Sequence, residues 1–132
     1  MKKALLALML CLALLPAALA QPLQGIDLDL SDLPASMAYA QLVAMLRDPE
    51  AYANQRVRLS GVFNYSQARE RGVVIVADTS GCCEAGLDFY CEAGLTFPDD
   101  YPELYSKICV TGFLESDEDG TCRLVDAVLE PR

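Results

Sequence analysis

Five cysteines beyond the first 20 positions are the residues with the clearest capacity for chemistry in this 132-residue chain. They are Cys82, Cys83, Cys91, Cys109 and Cys122. Cys82 and Cys83 are adjacent, and neighbouring cysteines bond to each other only in a strained ring, so each normally needs a third partner. Because five is an odd number, disulfide pairing within one chain leaves at least one thiol free.

If Cys122 lies close to the adjacent pair, three interpretations of the set are open. A disulfide from Cys122 to Cys82 or Cys83 would clamp the fold and leave the other thiol free. Alternatively, the three thiolates would bind zinc or Cu(I), both of which accept soft sulfur ligands. Thiol exchange is the third, but it requires a lowered thiol pKa, and nearby carboxylates disfavour the thiolate. Further ligands available for a metal are Asp78, Glu84 and Asp119.

Residues that most enzyme mechanisms require are missing from the chain. It contains no histidine, which removes imidazole ligands and rules out a Ser-His-Asp set. Neither a Cys-x-x-Cys pair nor a glycine-rich phosphate loop occurs. The acidic run at residues 117–120 lacks the ligand spacing of an EF-hand and is typical of a hairpin turn. We therefore expect a protein that is not an enzyme.

A helix followed by five strands must position these cysteines. Ser36 is a candidate N-cap, and apolar residues recur at helical spacing from Tyr39 to Leu46. Period-two alternation then predicts strands at residues 56–64, 72–78, 87–92, 107–115 and 122–130. Gly61 and Gly112, inside the first and fourth strands, permit the coiling that closes a small barrel. The sequence predicts a mainly β fold, with an N-terminal helix and a five-stranded OB-like Greek-key barrel.

This topology sorts the cysteines into two groups. The third and fifth strands of such a barrel run parallel as neighbours, so Cys82, Cys83 and Cys122 should meet at one pole. Cys91 and Cys109 should flank the opposite pole, which predicts a Cys91–Cys109 disulfide worth about 3 kcal/mol in the chain-entropy model. Strand alternation opposes this bridge, because it can turn the two side chains to opposite faces of the barrel wall.

Residues 1–20 are typical of a secretory signal peptide. Lys2 and Lys3 precede an apolar stretch at residues 4–15, and small residues at Ala18 and Ala20 form a cleavage signal. The apolar stretch is too short to span a bilayer. We therefore expect an exported protein, periplasmic, cell-surface or secreted, with no transmembrane segment after signal cleavage. Disulfides can persist in those compartments.

The remaining 112 residues are enough for one domain. Residues 21–35 are predicted as a flexible tether, although their alternating acidic and apolar residues also fit an added edge strand, and residues 36–132 as one OB-like domain. After cleavage, eight basic residues stand against nineteen acidic ones, a net charge of about −11. That charge excludes nucleic acid as a partner, because phosphate would be repelled. The expected partner is an envelope or extracellular protein, or a metal.

Several segments resemble OB-fold domains of uncharacterised secreted or lipid-anchored bacterial proteins. The resemblance covers about residues 36–130 and rests on the segments 48–52, 57–63, 82–89, 98–104, 110–113 and 122–127. In that family the vicinal Cys82-Cys83 pair and the last cysteine recur, whereas Cys91 and Cys109 are departures. The resemblance implies the OB fold but no established activity.

Two functions follow as expectations from the sequence. The first is an exported, non-catalytic binding or structural module of unknown ligand that its cysteines stabilise. The alternative is an accessory protein that binds zinc or Cu(I) through Cys82, Cys83 and Cys122.

Overall fold

The computed structural model describes residues 25–91 and 94–131. The signal peptide predicted for residues 1–20 and the first part of the expected tether lie outside these residues. In chain order the elements are β1 (Leu28–Asp29), α1 (Ala35–Arg47), a 3-10 turn (Pro49–Tyr52), β2 (Arg56–Ser66), β3 (Arg71–Ala77), β4 (Glu84–Phe89), β5 (Lys107–Ser116) and β6 (Cys122–Pro131).

Strands β2 to β6 form a closed five-stranded barrel, which confirms the predicted fold class. Neighbouring strands follow the order β2-β3-β4-β6-β5, and β5 pairs back onto β2. All contacts are antiparallel except β4 with β6, which run parallel as the Greek-key topology requires. The barrel therefore has the strand order expected of an OB-like fold.

Strand β2 closes the barrel by changing partners along its length. Its residues 56–62 pair with β5, and its residues 62–66 pair with β3. Gly61 lies at this change, where a Cβ atom would stand 2.5 Å from the carbonyl oxygen of Ile75. Only glycine allows the two strands to approach this closely, so the structure supports the predicted role of Gly61 in coiling.

The core fills the barrel interior and extends beneath α1. Ala38, Leu42 and Met45 are the buried residues of α1, and the helix packs on β3 and β4. Inside the barrel the fully buried side chains include Val57, Leu59, Phe63, Val74, Leu87, Phe89, Ile108, Val110, Leu114 and Leu124. Among the described residues, no helix is long and apolar enough to cross a membrane.

The predicted N-cap of α1 is wrong. The N-cap is Pro34, which makes no side-chain cap hydrogen bond, and Ser36 lies inside the first turn. The extended backbone of Pro34, with φ of −54° and ψ of 143°, suits the residue before a helix. Tyr39 and Leu46, the first and last residues of the predicted apolar pattern, are only partly buried.

The helix is not the first element of the described chain, because β1 precedes it. β1 pairs in parallel with β2, and the amides of Asp27 and Leu30 donate to the carbonyls of Arg56 and Arg58 at 2.9 and 2.8 Å. Leu30 is 1% exposed and belongs to the core. Residues 27–31 of the expected tether are thus packed onto the barrel, because burying Leu30 and bonding to β2 hold them there.

Candidate metal centre

A six-residue turn between β3 and β4 carries the adjacent cysteines. The turn is closed by the amide of Asp78, which donates to the carbonyl of Cys83 at 2.9 Å, and by the amide of Gly81, which donates to the carbonyl of Asp78 at 3.1 Å. Gly81 has a φ of +70°, a conformation that glycine adopts without strain. This tight turn brings Asp78 at the end of β3 next to the two thiols before β4.

Three potential metal ligands meet in this turn. The Sγ atoms of Cys82 and Cys83 are 3.6 Å apart, and Cys82 Sγ lies 3.8 Å from Asp78 Oδ2. The ligand atoms of Asp78, Cys82 and Cys83 all lie within 4.8 Å of one another. We call these three residues the Asp-Cys-Cys cluster. Ser80 braces it, because its Oγ donates to the Asp78 carboxylate at 2.8 Å and lies 3.0 Å from Cys82 Sγ.

The surroundings set the charge of the cluster. The hydrogen bond from Ser80 lowers the pKa of Asp78 below its ordinary value. The hydrogen bond with Cys82, followed by desolvation and the charge of Asp78, raises the pKa of Cys83, and a hydrogen bond with Tyr39 opposes this. At neutral pH and without a metal, Asp78 is therefore ionised and the Cys83 thiol is protonated. A metal that binds here must displace protons, since thiolates are the ligands.

The structure does not bring Cys122 to the cluster. Strands β4 and β6 are in register with Asp88 opposite Arg123, so Cys122 is level with Leu87. Four residues separate Leu87 from Cys83, which is about 13 Å along a strand. Cys122 is instead 5% exposed within the core, and burial raises its pKa to about 11.

Of the three further ligands that the sequence offers, Asp78 is the one that joins the two cysteines among the described residues. Glu84 and Asp119 are not part of that group. The sequence does indicate that Asp78 lies near the cysteines. The Asp-Thr-Ser-Gly run at residues 78–81 is typical of a tight turn between two strands, which brings the residues at its two ends together. Sequence reasoning missed Ser80 and Tyr39, whose contacts depend on the folded turn and on α1.

Cys91 and Cys109 are both free thiols in the structure, so the predicted bridge between them is not formed. Cys109 is buried on the outer face of the barrel wall, where the Nε of Arg58 donates to its Sγ at 3.3 Å. Cys91 instead packs against the core, and burial raises its pKa. Cys91 lies two residues beyond the end of β4, so strand alternation does not set the direction of its side chain.

No protein-family model matches the chain, and no curated protein matches it either. The chemistry of the Asp-Cys-Cys cluster is therefore the basis for assigning a function.

Proposed function

We propose that this protein is an exported, non-catalytic accessory protein that binds Zn²⁺ through Asp78, Cys82 and Cys83. The observation that carries the proposal is the convergence of two sulfur atoms and a carboxylate within 4.8 Å. Zinc accepts a mixture of thiolate and carboxylate ligands, whereas Cu(I) selects thiolates and thioethers. The donor set therefore favours zinc over copper. For the expected binding module, whose ligand the sequence leaves open, we take zinc as the ligand.

The spacing of the donor atoms fits a tetrahedral zinc ion. Zn–S bonds of about 2.3 Å and Zn–O bonds of about 2.1 Å at tetrahedral angles require S···S near 3.8 Å and S···O near 3.6 Å. The observed Cys82–Cys83 and Cys82–Asp78 distances are 3.6 and 3.8 Å. Each differs from the required value by about 0.2 Å. Small rotations of the side chains would complete the coordination.

The exposure of the cluster favours a site that exchanges its metal. Cys82 and Cys83 are both exposed, and three protein ligands leave a fourth coordination position open. The net charge of −9 also raises the local concentration of cations around the chain. An exposed, three-ligand site in an acidic protein suits the acceptance and delivery of zinc, with an envelope or extracellular protein as the donor or receiver.

Zinc titration of the reduced full chain tests this proposal. A chromophoric chelator competes for the metal, and native mass spectrometry reports the stoichiometry. We expect one zinc per chain and a loss of affinity of at least about 100-fold in Cys82→Ser, Cys83→Ser and Asp78→Asn, because replacing even an outer-shell partner of a metal ligand typically costs about 10–100-fold. Far-ultraviolet circular dichroism verifies that each variant is folded.

Cys122→Ala is the matched control, because it removes a thiol outside the cluster. Its zinc affinity should equal that of the unmodified chain. Loss of zinc in folded Cys122→Ala, or unchanged affinity in Cys82→Ser, would contradict the proposed site. The same titration with Cu(I) provides a second outcome: tighter binding of Cu(I) that does not depend on Asp78 would assign the cluster to copper.

A further inference from the structure

A groove opens where β2 exchanges β5 for β3 as its partner. Its volume is about 280 Å³, and residues 30–38 cover one side of it. We call it the seam groove. Most of its lining is apolar and comprises Leu30, Leu33, Ala38, Val62, Ile75 and Ile108. Leu33 lies at the rim and is 36% exposed, an apolar surface that a ligand would cover.

Three polar side chains line the same groove, and one of them, Ser31, already donates its hydroxyl to Asp29. The other two are available to a ligand. The Oγ of Ser60 is buried and has no hydrogen-bond partner among the described residues. A buried hydroxyl without a partner is unfavourable, so a ligand that bonds to it would gain free energy. The second group is Lys107, the only lysine in the described parts of the chain.

The placement of these two groups allows one ligand to meet both. Lys107 is exposed, and it is not paired with a carboxylate of the described residues. It stands opposite Val62, and Ser60 stands opposite Cys109, so Lys107 and Ser60 are diagonal neighbours on one face of the β2–β5 pair. Diagonal neighbours lie about 7–8 Å apart, within reach of a lysine side chain. In a chain with a net charge of −9, this cation marks a place where an anion is attracted.

We propose that the seam groove binds a small amphipathic carboxylate. The apolar part lies against the groove walls and the carboxylate pairs with the Lys107 ammonium. The Ser60 hydroxyl, whose oxygen is buried in the free protein, rotates toward the groove and donates to the carboxylate. A volume of about 280 Å³ lies at the lower end of small-molecule sites, which typically span about 300–1,000 Å³. A medium-chain or aromatic monocarboxylate is a ligand small enough for such a groove. This site is independent of the Asp-Cys-Cys cluster.

Octanoate is the probe, and octan-1-ol is its uncharged counterpart. Titration of the ¹⁵N-labelled full chain, followed by NMR, reports both affinity and place. We expect saturable binding of one octanoate, with the largest shifts at the amides of Ser60, Gly61 and Lys107. Octanoate should bind about tenfold more tightly than octan-1-ol, the difference that one ion pair with a hydrogen bond provides.

Variants separate the roles of charge and shape. Lys107→Gln should abolish the preference for octanoate, whereas Arg47→Gln, which removes one exposed charge at the end of α1, should preserve it. Ala35→Phe fills the groove from an exposed helix position and should abolish the binding of both probes. Both probes should bind normally to Cys82→Ser, which separates this site from the metal site.

Three results would overturn the proposal. The first is the absence of saturation below about 10 mM octanoate, which corresponds to binding too weak for a built site. The second is chemical shifts that lie away from the groove. The third is equal binding of octanoate to Lys107→Gln and to the unmodified chain.

Discussion

Gly72 is the position where one added methyl group would test the packing of the barrel most directly. It lies in β3 opposite Phe89 of β4, and a Cβ atom there would stand 2.3, 2.5 and 2.8 Å from three carbons of the Phe89 ring. Phe89 is fully buried, and its ring centroid lies 6.2 Å from that of Phe63. Because Phe89 belongs to the buried core cluster, a shift of its ring also disturbs the core side chains around it.

The expected cost of Gly72→Ala follows from these contacts. Overpacking a core costs about 1–3 kcal/mol, and three contacts this short place the substitution at or above the upper end. Replacing glycine by alanine in a strand returns about 0.5–1 kcal/mol through backbone entropy. We therefore expect a loss of about 2–3 kcal/mol in the free energy of unfolding, and a fall in Tm of about 10 °C.

Urea unfolding followed by circular dichroism measures this loss. Gly86→Ala is the matched control on the neighbouring strand, because its Cβ would meet only Cγ1 of Val73, at 3.1 Å, on a partly exposed side chain that can rotate. The control should change the free energy of unfolding by less than about 1 kcal/mol. Combining Gly72→Ala with Phe89→Leu should cost less than the sum of the single losses, because the smaller side chain makes room. Equal losses in Gly72→Ala and Gly86→Ala would refute the reasoning.

Three further predictions concern one carboxylate and three of the thiols. Asp88 is 4% exposed and accepts hydrogen bonds from two guanidinium groups at 2.6 and 3.2 Å, so Asp88→Asn should lower the free energy of unfolding in urea by about 1.5–3 kcal/mol, and an unchanged midpoint would argue against it. Burial raises the pKa of Cys122 from about 9 to about 11. The raised pKa therefore stabilises the folded protein fully below pH 9. Up to about 2.7 kcal/mol of the free energy of unfolding is lost as the pH rises from 9 to 11. Cys122→Ala should lose less stability over this pH range than the unmodified chain. If the free energies of unfolding of the two proteins fell in parallel with pH, Cys122 would not be the group responsible. Iodoacetamide at neutral pH should alkylate the exposed Cys82 and Cys83 long before Cys122, and equal rates in peptide mass mapping would contradict the described burial.

The five strands could be predicted because their alternation is local, and the closed barrel followed from the number and length of the strands. The placement of Cys122 could not be predicted, because it depends on the pairing register of β6 with β4. Parallel neighbours share a direction, so the prediction placed both first residues at one pole. The register of Asp88 with Arg123 instead places Cys122 level with Leu87, beyond the turn that holds Cys82. Loop lengths and core packing set this offset, and neither is visible in strand periodicity.

Asp88 illustrates the same limit for a charged residue. Asp88 lies between the core residues Leu87 and Phe89, so alternation places its side chain on the outer face of β4. In the fold it is buried, because Arg69 and Arg71 from the β2–β3 hairpin cover it. The face of a strand residue is a local property, but what lies over that face is decided by residues elsewhere in the chain.

The two-residue strand β1 affects how the edge of β2 is exposed to other copies of the protein. With β5 on one side of β2, the carbonyls of Arg56 and Arg58 point to the other side, and β1 takes both through the amides of Asp27 and Leu30. Unoccupied strand edges are templates on which another chain can add a strand. β1 therefore covers this part of the β2 edge, and removal of the chain through Leu30 would leave both carbonyls open to a strand from another copy.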